Sequence, residues 1–301
     1  MKLQRTIILT LIFLITSGFQ SKPTTSQEPI SNDSVRKYVY QGFEHLYNFE
    51  FVSCYKKISY LKQHYPESPW TYILATNYYW WQYLTGENED KTISYFYSNI
   101  YLAESHLTDN ISYENLFCKT LIFAFKSRFD LMEERYIPAM KEFLKYTHVM
   151  RKSFGKEKEF KSFYLSSGLY NYLSAVAYRD YLFLRPLLFL APSGNMNTGL
   201  SFLKRKKYDL ILDTESTYFL LKIYFEIEKD FIKAEKYGKF LIKKYPKNFI
   251  FHHFYNKSYV KNHNSKLNNS QIENLKSIII DNKELSYNQK KYLFSLIKKN
   301  Y

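Results

Sequence analysis

The chain is poor in the residues that punctuate and staple small folds. Its 301 residues include only 8 glycines, 8 prolines and 2 cysteines. So little Gly and Pro argues against a turn-rich β architecture. Two cysteines without a CxxC or a Cys/His spacing exclude a disulfide framework and a cysteine-based metal cluster. Catalytic signatures are missing too: there is no GxSxG, no HExxH and no GxxxxGK[ST]. The histidines lie apart except His252-His253, and adjacent residues on a helix point about 100° away from each other, which does not build the cluster a metal needs. The acidic groups Glu87/Glu89/Asp90 and Glu133-Glu134 fall at predicted helix starts, where negative charge complements the macrodipole and no catalytic carboxylate pair is required. No cofactor, no metal and no enzymatic activity are expected. An undetected hydrolase would need carboxylates or a Ser/His pair converging from separate helices.

Acidic residues are also scarce relative to basic ones, 28 against 43, giving a formal charge of +15. A polyanion partner would require clustering, yet the lysines are scattered among many Asn, Ile and Tyr, a mixture that AT-rich codons produce. The densest run, Lys204-Arg205-Lys206-Lys207, falls near a predicted helix end, where cations complement exposed carbonyls. No nucleic-acid partner is expected.

What the chain does have is apolar and aromatic material: 46% hydrophobic and 20% aromatic residues, with 31 Tyr and 25 Phe. Abundant core with little punctuation points to an all-α fold. Tyr38, Phe51, Lys56, Leu61, Tyr65 and Pro66 recur as Tyr218, Phe231, Lys236, Leu241, Tyr245 and Pro246, each 246 − 66 = 180 positions later, and small Cys54 matches small Ala234. An aromatic early in a first helix, a small residue within a second and a closing Pro form the skeleton of a helical hairpin that buries one face by stacking on neighbours. Over 35–66 and 215–246 the chain resembles a degenerate tetratricopeptide repeat (TPR) protein of exported bacterial type. The usual Trp is Tyr38 or Tyr218, Gly42 and Phe225 are what survives of a Gly-Tyr pair, and Gly238 replaces an aromatic. Gly168-Leu169-Tyr170-Asn171-Tyr172, with Gly194-Asn195 and Gly199, resembles a connector of such proteins. The resemblance implies an α-α superhelix, a TPR-like helical-repeat solenoid over 34–301, with the two copies towards either end and a protein-interaction role on the concave face.

A first helix is expected to begin near 34, and further helices are expected near 51–64, 69–84, 90–107, 112–128, 133–154, 157–174, 198–208, 214–227, 230–244, 248–261, 270–280 and 286–299, with an irregular stretch over 175–197 and a polar cap at the last pair. The start of the chain has the order of a secretory signal over 1–18: Lys2 and Arg5, the apolar run Ile7 to Ile15, then Thr16, Ser17 and Gly18. That run is too short for a bilayer, which needs about 20 residues, and no Cys follows it for lipid attachment. A flexible leader over 19–33 should come next, so the mature protein is expected to be soluble, exported and periplasmic or envelope-associated, without a stable transmembrane segment. Cys54 and Cys118 are expected to pack as small hydrophobes, although an oxidising compartment would permit a bridge.

The densest local feature is Tyr78-Tyr79-Trp80-Trp81. Trp70, Ile73, Asn77, Trp81 and Leu84 share one helical face and are expected in the core. Tyr78, Tyr79, Trp80 and Tyr83 are the candidate ligand- or partner-binding residues, because Tyr and Trp dominate interface hot spots. The second candidate is the apolar run Leu187-Leu188-Phe189-Leu190, which must dock, meet a partner or meet a membrane surface. Two functions follow: an exported, non-catalytic scaffold for an envelope protein or peptide, or a glycan- or small-ligand-binding protein that stacks its ligand on Tyr and Trp.

Overall fold

The computed structural model describes residues 29–87, 89–108, 112–135, 151–180, 193–206 and 209–301, with Pro138 and Val149. The expected signal, the first ten residues of the leader, most of the 133–154 helix and the Leu187–Leu190 run lie outside them. The described residues form helices, turns and irregular connections with no strand, so the fold is all-α. The helices are α1 Asp33–Tyr47, α2 Phe51–His64, α3 Pro69–Leu84, α4 Glu89–Ser105, α5 Tyr113–Met132, α6 Phe163–Asp180, α7 Met196–Lys204, α8 Leu210–Lys222 with a π turn Ile223–Ile227, α9 Phe231–Lys244, α10 Phe249–His263, α11 Asn269–Asp281 and α12 Tyr287–Asn300.

The chain divides into two compact units where a single array over 34–301 was expected. One joins Ser34–Leu102 with Asp213–Tyr301; the other joins residues 29–33 with the described residues of Ala103–Leu212.

In the unit of Ser34–Leu102 and Asp213–Tyr301 the local rules are legible. In α2 the buried residues Phe51, Cys54, Ile58 and Leu61 recur at helical spacing, and Pro66 follows the helix end. In α3, Pro69 takes the first helical position with Ser68 before it. The Ser68 side chain makes no capping bond; Thr71 Oγ1 instead donates to the Tyr65 carbonyl at 2.9 Å. The echo runs further than the hairpin: 231 − 51, 249 − 69 and 269 − 89 are all 180, so α9, α10 and α11 start in register with α2, α3 and α4. Phe49 and Lys229, also 180 apart, both take positive φ, 56° and 54°. Tyr65 and Tyr245 both close their helices by donating N–H to Leu61 and Leu241, at 2.7 and 2.8 Å.

The two copies were expected towards opposite ends of an array; they pack against each other within this one unit. Tyr47 Oη donates to Glu215 Oε1 at 2.7 Å, and Asn248 Nδ2 donates to the Tyr47 carbonyl at 2.7 Å. Trp81 lies among Tyr47, Phe49, Tyr218 and Phe251 at centroid distances of 6.5, 5.6, 5.8 and 5.8 Å. Each such pair contributes about 0.5–1.5 kcal/mol beyond its area. The helix that is apolar all round, α3, is therefore central, with Trp70, Trp80 and Trp81 all buried.

The last pair of helices is more than a polar cap. Leu275, Ile279, Leu293 and Ile297 are buried, and the turn between α11 and α12 grips the first copy. Glu284 accepts from Val52 N (2.8 Å), Ser53 N (3.2 Å) and Ser53 Oγ (2.9 Å), so it caps α2 from across the unit. Buried Gln289 donates to Gln82 Oε1 and Thr85 Oγ1 at 2.9 and 2.8 Å.

In the other unit, α6 runs on through Asp180, past the expected break at Ala175, because Val176 and Ala177 are buried. The expected helix over 157–174 begins only at Phe163, after a series of turns. Glu133 and Glu134 follow the end of α5 rather than opening a helix, and Glu134 has φ 58°. The end of the leader is packed: Ile30 is buried and Ser31 N donates to Glu114 Oε2 at 3.1 Å. The glycines of the connector serve close helix packing. A Cβ on Gly199 would stand 2.5 Å from Tyr172 N, and one on Gly194 would stand 2.5 Å from the Asn171 carbonyl oxygen.

Candidate functional site

The four residues singled out in the sequence separate in the structure. Trp80 is 2% exposed and lies 6.5 Å from Phe96, so it packs rather than faces solvent. Tyr83 is half-buried, with its Oη 3.4 Å from Glu89 Oε1. Tyr78 and Tyr79 are half-buried and become the middle of a strip of rings.

That strip crosses three helices. Tyr55 on α2 meets Tyr78 on α3 at 5.7 Å, Tyr78 meets Tyr79 at 5.1 Å, and Tyr79 meets Tyr95 on α4 at 5.1 Å. The ends are open, with Tyr55 50% and Tyr95 42% exposed, and Val52 beside Tyr55 is exposed as well. Lys91 Nζ stands 5.8 Å from the centre of the Tyr95 ring. Further along, Lys62 Nζ of α2 donates to Asn99 Oδ1 of α4 at 2.9 Å and lies 5.7 Å from the Tyr72 ring, so α2 and α4 flank the exposed side of α3. Burial pushes the Tyr79 phenol up to about 12, with the Tyr55 and Tyr95 phenols adding to it. Burial likewise raises Tyr78, against a hydrogen bond from Gln82. Both stay neutral at ordinary pH and keep their O–H donors.

Tyr55 and Tyr95 could not be picked from the sequence. Each is one tyrosine among 31, and only the packing of α2, α3 and α4 aligns them with Tyr78 and Tyr79. Conversely, the inner faces of the two copies are consumed by the protein itself. Tyr47, Trp81, Tyr218, Tyr245 and Phe251 form one buried cluster.

The other candidates resolve as packing. His252 and His253 are buried; His252 Nε2 lies 2.9 Å from the Pro246 carbonyl, and the His253 ring packs between Phe249 and Tyr301. Burial, with Lys257 adding, pushes His253 down to about 3. No group of three or more His, Cys, Asp or Glu able to hold a metal occurs among the described residues. Cys54 and Cys118 are buried free thiols. In the basic run, Arg205 donates from a terminal guanidinium nitrogen to Tyr164 Oη at 2.7 Å and stacks 4.6 Å from that ring. Beside it, an open groove of about 520 Å³ is lined by Asn197, Leu200, Ser201, Lys204 and Arg205. Among the described residues no helix is long and apolar enough to cross a membrane.

No protein-family model, no curated protein and no solved structure matches this chain.

Proposed function

We propose that the protein is an exported, non-catalytic helical-repeat scaffold of TPR-like type, and that it holds a protein partner in the cell envelope. The observation that carries this reading is the tyrosine strip Tyr55–Tyr78–Tyr79–Tyr95, a partly exposed aromatic surface on rigid helices, the kind of surface that supplies interface hot spots. The repeat character is supported by the shared 180-residue register of α2–α4 and α9–α11; export is supported by the order of residues 1–18. The ring planes of the strip are tilted by 47°, 86° and 31° in succession, which favours interlocking side chains of a peptide over the flat stacking that a sugar ring uses. On this reading the partner docks on the strip of α2, α3 and α4.

A photoreactive residue placed at Tyr55 or Tyr95 in the native envelope tests the proposal, with Lys276 on α11 as the control position. Discrete protein adducts from the two strip positions and none from the control are expected. Adducts of equal yield at all three positions, or saturable glycan binding that the strip variants abolish, would overturn it.

A further inference from the structure

Resting on the reading of the strip as a protein-binding surface, we infer that its partner is an acidic segment: a short extended stretch bearing carboxylates and aromatic or large apolar side chains. The charge of the three helices carries the inference. The α2 sequence, FVSCYKKISYLKQH, has no acidic residue; Lys57 lies over the Tyr38 ring of α1, while Lys56 is exposed and Lys62 reaches Tyr72 of α3 and Asn99 of α4, and α3 has no charged residue at all. In α4 the acids are confined to Glu89 and Asp90 in the first turn and Glu104 near the end, while Lys91 lies over the exposed Tyr95 ring. Between Lys91 and Asn99 the helix is neutral. Across the middle of the strip these three helices thus contribute cations and no acid, while Glu284 of the turn between α11 and α12 places a carboxylate at its Val52 end. Lys62 is held in place by Asn99, and an ammonium has three donors, of which that bond uses one.

One end of the strip already takes a carboxylate from this chain. Glu284 receives the first amides of α2 beside Val52, one turn before Tyr55. Further along α2 the field of the helix N-terminus has faded, and the attraction for an acidic segment would come from the ammonium groups of Lys56 and Lys62. Opposite charge speeds encounter and fixes register, while the rings bury its apolar side chains. The ring-to-ring steps of 5.7, 5.1 and 5.1 Å span at most about 16 Å, the length of about five residues of extended chain at ~3.3 Å each.

The test uses the full chain and fluorescein-labelled decapeptides read by anisotropy: alternating Glu and Phe, alternating Lys and Phe, and alternating Glu and Ser. The Glu/Phe peptide is expected to bind at least tenfold tighter than either of the others and to weaken severalfold as salt is raised. Tyr55→Ala with Tyr95→Ala should lower its affinity tenfold or more. Lys56→Glu with Lys62→Gln should lower it as well and narrow the gap to the Lys/Phe peptide. All four positions are solvent-accessible, and unchanged circular dichroism verifies that each variant is folded. Equal binding of the Glu/Phe and Lys/Phe peptides would overturn the inference, as would an equal loss from Ile232→Ser on the exposed face of α9. Self-association seen in sedimentation and abolished by Tyr55→Ala would assign the surface to a second copy and overturn it too. If photoadducts form at Tyr55 and Tyr95 but the Glu/Phe peptide does not compete, the surface stands and the charge assignment falls; if neither occurs, both fall.

Discussion

Removing the Glu284 carboxylate should unravel the start of a helix from which it is separated by more than 200 residues of sequence. The N-cap position of α2 is Glu50, whose side chain makes no capping bond; it is turned instead to Lys247, His45 and Asn48, at 2.7, 2.7 and 2.9 Å. Glu284 supplies the missing acceptor for Val52 N, Ser53 N and Ser53 Oγ. The Val52 amide is exposed and can turn to water, whereas the Ser53 groups are partly buried and lose more. A cap contributes about 1 kcal/mol, and a negative charge at a helix N-terminus adds about 0.3–1 kcal/mol. Glu284→Ala should therefore cost about 1.5–2 kcal/mol, and Glu284→Gln, which keeps an acceptor without the charge, about half of that. Tryptophan emission is the assay, because Trp70, Trp80 and Trp81 all lie in α3 and report this unit. With a urea slope of about 2 kcal/mol/M, the alanine variant should unfold about 0.8 M earlier. Asp230→Ala provides the comparison, since Asp230 caps α9 by accepting from Lys233 N at 3.0 Å. A Glu284→Ala midpoint within about 0.1 M of the parent would refute the remote cap.

Three further outcomes are expected. Gly86 has φ +83°, and a Cβ there would stand 2.4 Å from Tyr292 Cγ; Gly86→Ala should cost about 2 kcal/mol through left-handed strain and overpacking, part of it recovered in the Tyr292→Ala background, as urea midpoints will show. His253 has its folded value pushed down to about 3 from an ordinary 6.5 by burial, with Lys257 adding. The unfolded chain thus binds the extra proton, and stability should be full above pH 6.5 and fall as pH drops towards 3, by up to about 1.4 kcal/mol per pH unit for one group; His253→Asn should flatten that slope in urea titrations between pH 7.5 and 5. Cys54 and Cys118 are fully buried thiols that burial pushes up; an aromatic disulfide reagent should label neither in the native protein and both in denaturant, and rapid native labelling would contradict their burial.

Much of the fold was legible because helix formation is local. The period of Phe51, Cys54, Ile58 and Leu61, and the positions of Pro66 and Pro69, set the observed bounds of α2 and the start of α3. Where local signals mislead, tertiary burial is the reason: α6 passes Ala175 because Val176 and Ala177 find a packing surface. The helix expected over 214–227 does end at Ile227, through the π turn Ile223–Ile227, in register with Tyr47 at the end of α1, since 227 − 47 = 180. Of the candidate site, Tyr78 and Tyr79 were visible as a dense aromatic block. Trp80 was drawn in by the same composition although its face of the helix is inward. Tyr55 and Tyr95 carried no signal, since each is the outward residue of an ordinary amphipathic helix.

By itself the sequence determined that the chain is helical, that its hairpins repeat at an offset of 180, and that α3 must be surrounded, because periodicity, capping and all-round apolarity act over a few turns of chain. Only the tertiary structure decided that the two copies lie side by side, that Glu284 and Gln289 bind the first copy from the last helices, and that four tyrosines from three helices form one strip. Which faces meet depends on the pairing of distant segments, and the same amphipathic pattern is compatible with an open array or with hairpins folded against each other.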